Sequence, residues 1–165
     1  MAKFGKLPKE VPSCRTSVGS APKFVAAVEK MLVILAGGLP ETAFEWLRTE
    51  ARQTYLYGFG RDYDDGRGKV TNASTSLYSH HGFGLGVDVV EKDNTPWNAP
   101  LSFWNEIGDA ADETGVLKWG GRWHRPDLPH VYWAAMPDSL TLAHADRALF
   151  RTEGIEAVWR KYGAD

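Results

Sequence analysis

The stretch Ser79-His80-His81-Gly82-Phe83-Gly84-Leu85-Gly86-Val87-Asp88 decides how the rest of the chain is read. It sets His81 seven residues before Asp88 and fills the interval with small residues, whose glycines let the backbone turn tightly enough for both side chains to converge on one ion. Val87 to Val90 then reads as a buried strand. A second stretch, Trp119-Gly120-Gly121-Arg122-Trp123-His124-Arg125-Pro126-Asp127-Leu128-Pro129-His130, places Asp127 three residues before His130, a source of a third ligand and of a nearby base. Four of the five histidines fall within these two short segments.

Outward from them, the chain reads as a sequence of short elements. Residues 1–20 carry Pro8, Pro12, Gly5 and Gly19 without periodicity and read as an extended surface arm. Ser20 offers a helix cap and Pro22 an early helical position. Phe24, Val25, Val28, Met31, Leu32 and Leu35 then recur at helical spacing until Gly37-Gly38. Ala43 to Leu47 reads as a strand and Thr49 to Tyr57 as a helix capped by Thr49. Gly58 to Ser79 is an irregular connection. Pro100 to Thr114 reads as a helix, His130 to Ala134 as a strand, Asp138 to Phe150 as a short helix and Gly154 to Tyr162 as the last one.

Composition narrows the class. A chain of 165 residues, 43% hydrophobic and 24% charged, fits one globular domain. A net charge of -2 provides no global field for nucleic acid or an anionic membrane, so neither is an expected partner. Cys14 stands alone, which excludes an internal disulfide and a thiolate-rich metal site. Any metal must use imidazole and carboxylate. Residues 1–20 contain no apolar signal-peptide core, and Glu29 and Lys30 interrupt the most apolar run, so neither a signal peptide nor membrane insertion is expected.

These segments resemble the zinc D-alanyl-D-alanine carboxypeptidases and L-alanyl-D-glutamate endopeptidases that cut peptidoglycan stem peptides. Ser79, His81, Gly84, Gly86 and Asp88 fill that family's Ser-x-His-x-x-Gly-x-(small)-x-Asp signature, with Gly86 where Ala is commoner. The second stretch is similar to the family's Trp-Gly-Gly-x-Trp run followed by an acidic residue and a ligand His. Arg48-Thr49-Glu50-Ala51-Arg52-Gln53, with Leu56-Tyr57 and Gly60-Arg61, resembles more loosely its Arg-Ser-x-x-Arg-Gln pattern, with Thr49 in place of Ser. The likeness spans about residues 22–162.

The resemblance implies an α+β fold, related to the hedgehog signalling domains, in which a small central antiparallel sheet of about four strands carries the zinc site and helices flank it. It implies one zinc ion per chain on His81, Asp88 and His130, with a fourth position left for water. Asp127 would be the general base. Arg48 would face the substrate's carbonyl oxygen or carboxylate, and Ser79 and Trp119 would touch substrate. Beside these stand plainer readings: His80, His124 and His144 as hydrogen-bonded structural residues, Asp127 as a cap or an acceptor for a ligand His, Trp119 and Trp123 as core or pocket wall, and Arg48 as a partner of Glu45 or Glu50. The expected activity is hydrolysis of the stem peptide by a monomer. An endolysin-type L-alanyl-D-glutamate endopeptidase, made in the cytoplasm and released to the cell wall by a holin, is set against a D-alanyl-D-alanine carboxypeptidase. A zinc-holding cell-wall-binding module without catalysis is the reading from another class.

Overall fold

The helical repeat from Phe24 to Leu35 forms α1 (Pro22–Leu35) in the computed structural model, whose described residues are 4–35, 41–92, 97–140 and 143–165. The expected glycine stop at Gly37-Gly38 lies outside the described residues. Ser20 is not the side-chain cap: its Oγ is buried and has no hydrogen-bond partner among the described residues, because the helix begins two residues later. Thr49 does cap α2 (Glu50–Gly58), its side chain accepting from the Arg52 N–H.

Four strands, β1 (Glu41–Glu45), β2 (Gly86–Glu91), β3 (Leu117–Trp119) and β4 (His130–Trp133), make one antiparallel sheet in the order β1-β2-β4-β3. The fold is therefore α+β, as the resemblance implied. β1 begins and ends two residues earlier than its sequence pattern indicates, and β3 has no counterpart in that reading. α3 (Leu101–Glu113) lies within the expected Pro100 to Thr114. The helix expected from Asp138 to Phe150 starts later, as α4 (His144–Glu153), and the Asp138 carboxylate is engaged with Tyr132 and Lys118. α5 (Ile155–Lys161) closes the chain.

Strand alternation divides the sheet's faces. Val87, Val131, Leu117, Trp119 and Trp133 are linked by pairing and by two-residue steps, so they share the face that enters the core with Phe24, Val28 and Met31 of α1 and Phe103, Ile107 and Ala111 of α3. The opposite face carries Gly86, Asp88, His130 and Tyr132. Residues 4–20 form no regular element but are tied to the body: Gly5 N–H donates to Asp62 O, Arg52 to Val11 O, and Trp46 N–H to Cys14 O. No helix among the described residues is long and apolar enough to cross a membrane.

Candidate metal centre

Sheet register builds the site. Asp88 is paired with His130 across β2 and β4 and with Glu45 across β1 and β2. Residues directly opposite in an antiparallel ladder share a face. Glu45, Asp88 and His130 therefore stand in one row across three strands. Glu45 joins this row through a shift of register between Ala43, which faces Val89, and Glu45 itself. Such a bulge turns a side chain to the other face of its strand.

His81 reaches the row from outside the sheet. It lies in a 3-10 turn, His80–Phe83, that ends at Gly84 with φ 64°. That left-handed conformation suits glycine, and a Cβ there would also lie 2.6 Å from the Gly19 carbonyl oxygen. Gly86 gives close approach: a Cβ on it would meet His80 Cβ at 2.7 Å, the His81 nitrogen at 2.9 Å and His130 Cε1 at 3.0 Å.

His81 Nε2 lies 3.1 Å and His130 Nδ1 3.3 Å from Asp88 Oδ1. All three groups are buried, and each offers a ligand atom within 4.8 Å of the others. Donors bound tetrahedrally to zinc at about 2.0–2.2 Å stand about 3.3–3.6 Å from one another, so this spacing fits that ion. The tautomer of His81 agrees. Its Nδ1 faces the Trp46 carbonyl oxygen at 2.8 Å, which can only accept, so Nδ1 carries the proton and Nε2 turns a lone pair toward Asp88. Two imidazoles and a carboxylate would leave one position of a tetrahedral ion open, the arrangement of catalytic rather than structural zinc.

Arg48 locks the carboxylates. Its Nε and NH2 donate to Glu45 Oε2 at 3.1 and 2.6 Å, NH1 to Gln53 Oε1 at 3.3 Å, and NH2 to Asp88 Oδ2 at 3.3 Å. Arg52 takes the other Glu45 oxygen at 2.8 Å. Burial would raise the Asp88 pKa, but the adjoining His81 and His130 imidazoles and the Arg48 guanidinium together hold it well below the ordinary aspartate range. Glu45 behaves likewise: burial is outweighed chiefly by Arg48, and its pKa is lowered. Arg48 was expected at the substrate, yet it is buried and committed to these partners. Of its two carboxylate alternatives it takes Glu45; Glu50 instead accepts from Ser76.

Asp127 sits on the loop leading into His130, held by its own backbone: its N–H donates to Gly120 O, and its carbonyl accepts from the His130 N–H. Its surface is exposed, and its carboxylate makes no hydrogen bond or ion pair among the described residues. Desolvation by the surrounding chain pushes its pKa up, helped by the Asp88 charge and opposed by His130, His81 and Arg48. Ser79 is half-buried just before the histidine turn. Trp119, expected to touch substrate, is instead buried in the core with its indole N–H donated to Leu128 O, where it braces the 120–130 loop. The half-buried aromatic near the ligands is Trp123, its ring 5.3 Å from that of His130.

His80 is a contact the sequence did not reveal: its ring stacks on Tyr132 at 4.3 Å, and Nδ1 lies 3.1 Å from His130 Nε2. Burial, foremost, and the neighbouring His130 hold its pKa well below the ordinary histidine value. Tyr132 had a sequence signal, being two strand positions beyond His130 and so on the same face. His144 accepts from Arg147 at the start of α4, and His124 is exposed.

A family model described as D-alanyl-D-alanine carboxypeptidase matches residues 72–133, which include Ser79, all three ligand candidates and Asp127 but not Arg48. No curated protein matches the chain. Among solved structures, the L-Ala D-Glu endopeptidase ChiX of Serratia marcescens is similar at a TM-score of 0.51 and 25% identity, over 71% of this chain and 82% of that one. The sequence match centred on the site and the likeness of the fold around it agree, and both make the chain similar to the D-alanyl-D-alanine carboxypeptidase family of peptidases.

Proposed function

We propose that this protein is a zinc peptidase that hydrolyses a peptide bond in the peptidoglycan stem, as an L-alanyl-D-glutamate endopeptidase. The observation that carries the reading is the convergence of His81 Nε2, Asp88 Oδ1 and His130 Nδ1 near an Asp127 carboxylate that makes no hydrogen bond or ion pair among the described residues. The likeness to ChiX favours the endopeptidase, whereas the family description favours removal of a terminal D-alanine.

Bound zinc would supply a Lewis acid for the scissile carbonyl and bring the pKa of a water to about 7. His81, Asp88 and His130 hold that ion, with Arg48 and Glu45 fixing the carboxylate's orientation. Asp127 takes a proton from the attacking water and returns it to the departing amine nitrogen as the C–N bond breaks. Ser79 is proposed as a substrate contact, and Arg48 as a positioning residue acting through Asp88. Purified muropeptides, incubated with zinc-loaded protein, give the test by product mass. Release of the peptide from L-Ala supports the endopeptidase, and loss of one alanine identifies the carboxypeptidase. Intact muropeptides retained by zinc-loaded protein would leave the non-catalytic binding module.

A further inference from the structure

The ligand histidines are oriented in different ways. His81 is fixed directly by a backbone carbonyl, that of Trp46. His130 has no such carbonyl among the described residues. Its Nε2 meets another imidazole, Nδ1 of His80 at 3.1 Å, and His80 Nε2 in turn meets the Pro137 carbonyl oxygen at 2.9 Å.

We propose that His80 is a positioning residue that relays the Pro137 carbonyl to His130, fixing the tautomer in which His130 Nδ1 binds the metal. The proposal rests on the metal site described above. Its logic runs inward from the carbonyl, which can only accept and so requires the proton of His80 to be on Nε2. A neutral ring then presents a lone pair at Nδ1. Facing that lone pair, His130 Nε2 is the donor, and its own lone pair is left at Nδ1, 3.3 Å from Asp88 Oδ1. His80 is only 3% exposed and is stacked on Tyr132 with the two rings 23° from parallel, so neither ring can turn without opening the core. Tyr132 is itself pinned, its hydroxyl donating to Asp138 at 2.8 Å and accepting from Trp123 at 3.1 Å. A reversed His80 would present an N–H to His130 and draw the ligating lone pair to the wrong nitrogen.

The experiment uses the full chain, comparing wild type with His80→Phe, which keeps an aromatic ring but has neither nitrogen, and His80→Gln, whose amide can accept from His130 and donate to Pro137. Zinc affinity is read by chelator competition, and the protonated nitrogen of each ligand histidine by nitrogen NMR of the zinc-loaded wild type. The expected results are zinc on His130 Nδ1, affinity weakened about 10- to 100-fold in His80→Phe, and substantial recovery in His80→Gln. Zinc on His130 Nε2 in wild type, or wild-type affinity in a folded His80→Phe, overturns the relay. If His80→Phe does not fold, the wild-type NMR assignment decides alone. Failure of the wild type to bind zinc would instead overturn the metal reading itself, and zinc binding without muropeptide cleavage would overturn only the peptidase.

Discussion

Asp88 and His130 face each other directly across the β2–β4 ladder, with carboxylate Oδ1 and imidazole Nδ1 3.3 Å apart. Backbone pairing thus sets two of the three ligand candidates before any ion arrives. Wild-type protein is expected to hold one zinc per chain by elemental analysis. Asp88→Asn keeps the shape but removes the anionic ligand, and should weaken zinc by more than the roughly 10- to 100-fold typical of losing an outer partner. Full stoichiometry at unchanged affinity in Asp88→Asn would remove that residue from the ligand set.

A site assembled from β2, β4 and a separate turn is absent from the unfolded chain, so zinc should stabilise the native state. At a free zinc concentration about 1,000 times Kd the gain is about 4 kcal/mol. Stripping the ion with a chelator should therefore lower Tm, and restoring zinc should recover it. A Tm indifferent to zinc would count against a folded-state site.

Arg48 touches Glu45, Gln53 and Asp88 at once. Removing one member of a buried ionic cluster leaves the others uncompensated, typically at about 3–5 kcal/mol. Arg48→Ala should fall near the lower end in metal-free protein, since Arg52 still holds Glu45. Urea unfolding measures this loss. A residue serving only substrate would instead leave stability intact and raise KM.

Gly84 tests the turn that presents His81. Forcing an L-residue into the left-handed region costs about 1–2 kcal/mol, and the Cβ would also press on the Gly19 carbonyl. Gly84→Ala should lower Tm and weaken zinc binding together, because its N–H caps the turn through His81 O. A fall in stability with unchanged zinc affinity would show that the turn relaxes without moving the ligand.

What the sequence made legible follows from how local each feature is. α1 and α2 show themselves by repeat and cap, and the two glycine-bearing stretches show the ligand candidates because type and spacing are enough to select them. β3 is only three residues long, too short for alternation to register, and its place is fixed by pairing with β4. The Arg48–Asp88 contact and the stacking of His80 on Tyr132 join residues about 40 or more positions apart, which no local pattern encodes. Trp119 illustrates the converse. Its motif position suggests a substrate contact, but alternation along β3 turns it into the core, opposite Val131.

Asp127, as the proposed base, would separate catalysis from metal holding, since its carboxylate lies near the ligand candidates without being among the three that converge. Asp127→Asn should keep the fold and the zinc while kcat on muropeptides drops by about 10² to 10⁴. The sign of its pH dependence follows from its raised pKa. A base must be ionised to accept a proton, so activity is present above that pKa and lost as pH falls through it. The acidic limb of kcat/KM is therefore expected above the ordinary aspartate range, measured with zinc occupancy checked at each pH so that loss of metal is not mistaken for protonation. The residual activity of Asp127→Asn should lack that limb, and the same limb in the variant would assign the ionisation to another group.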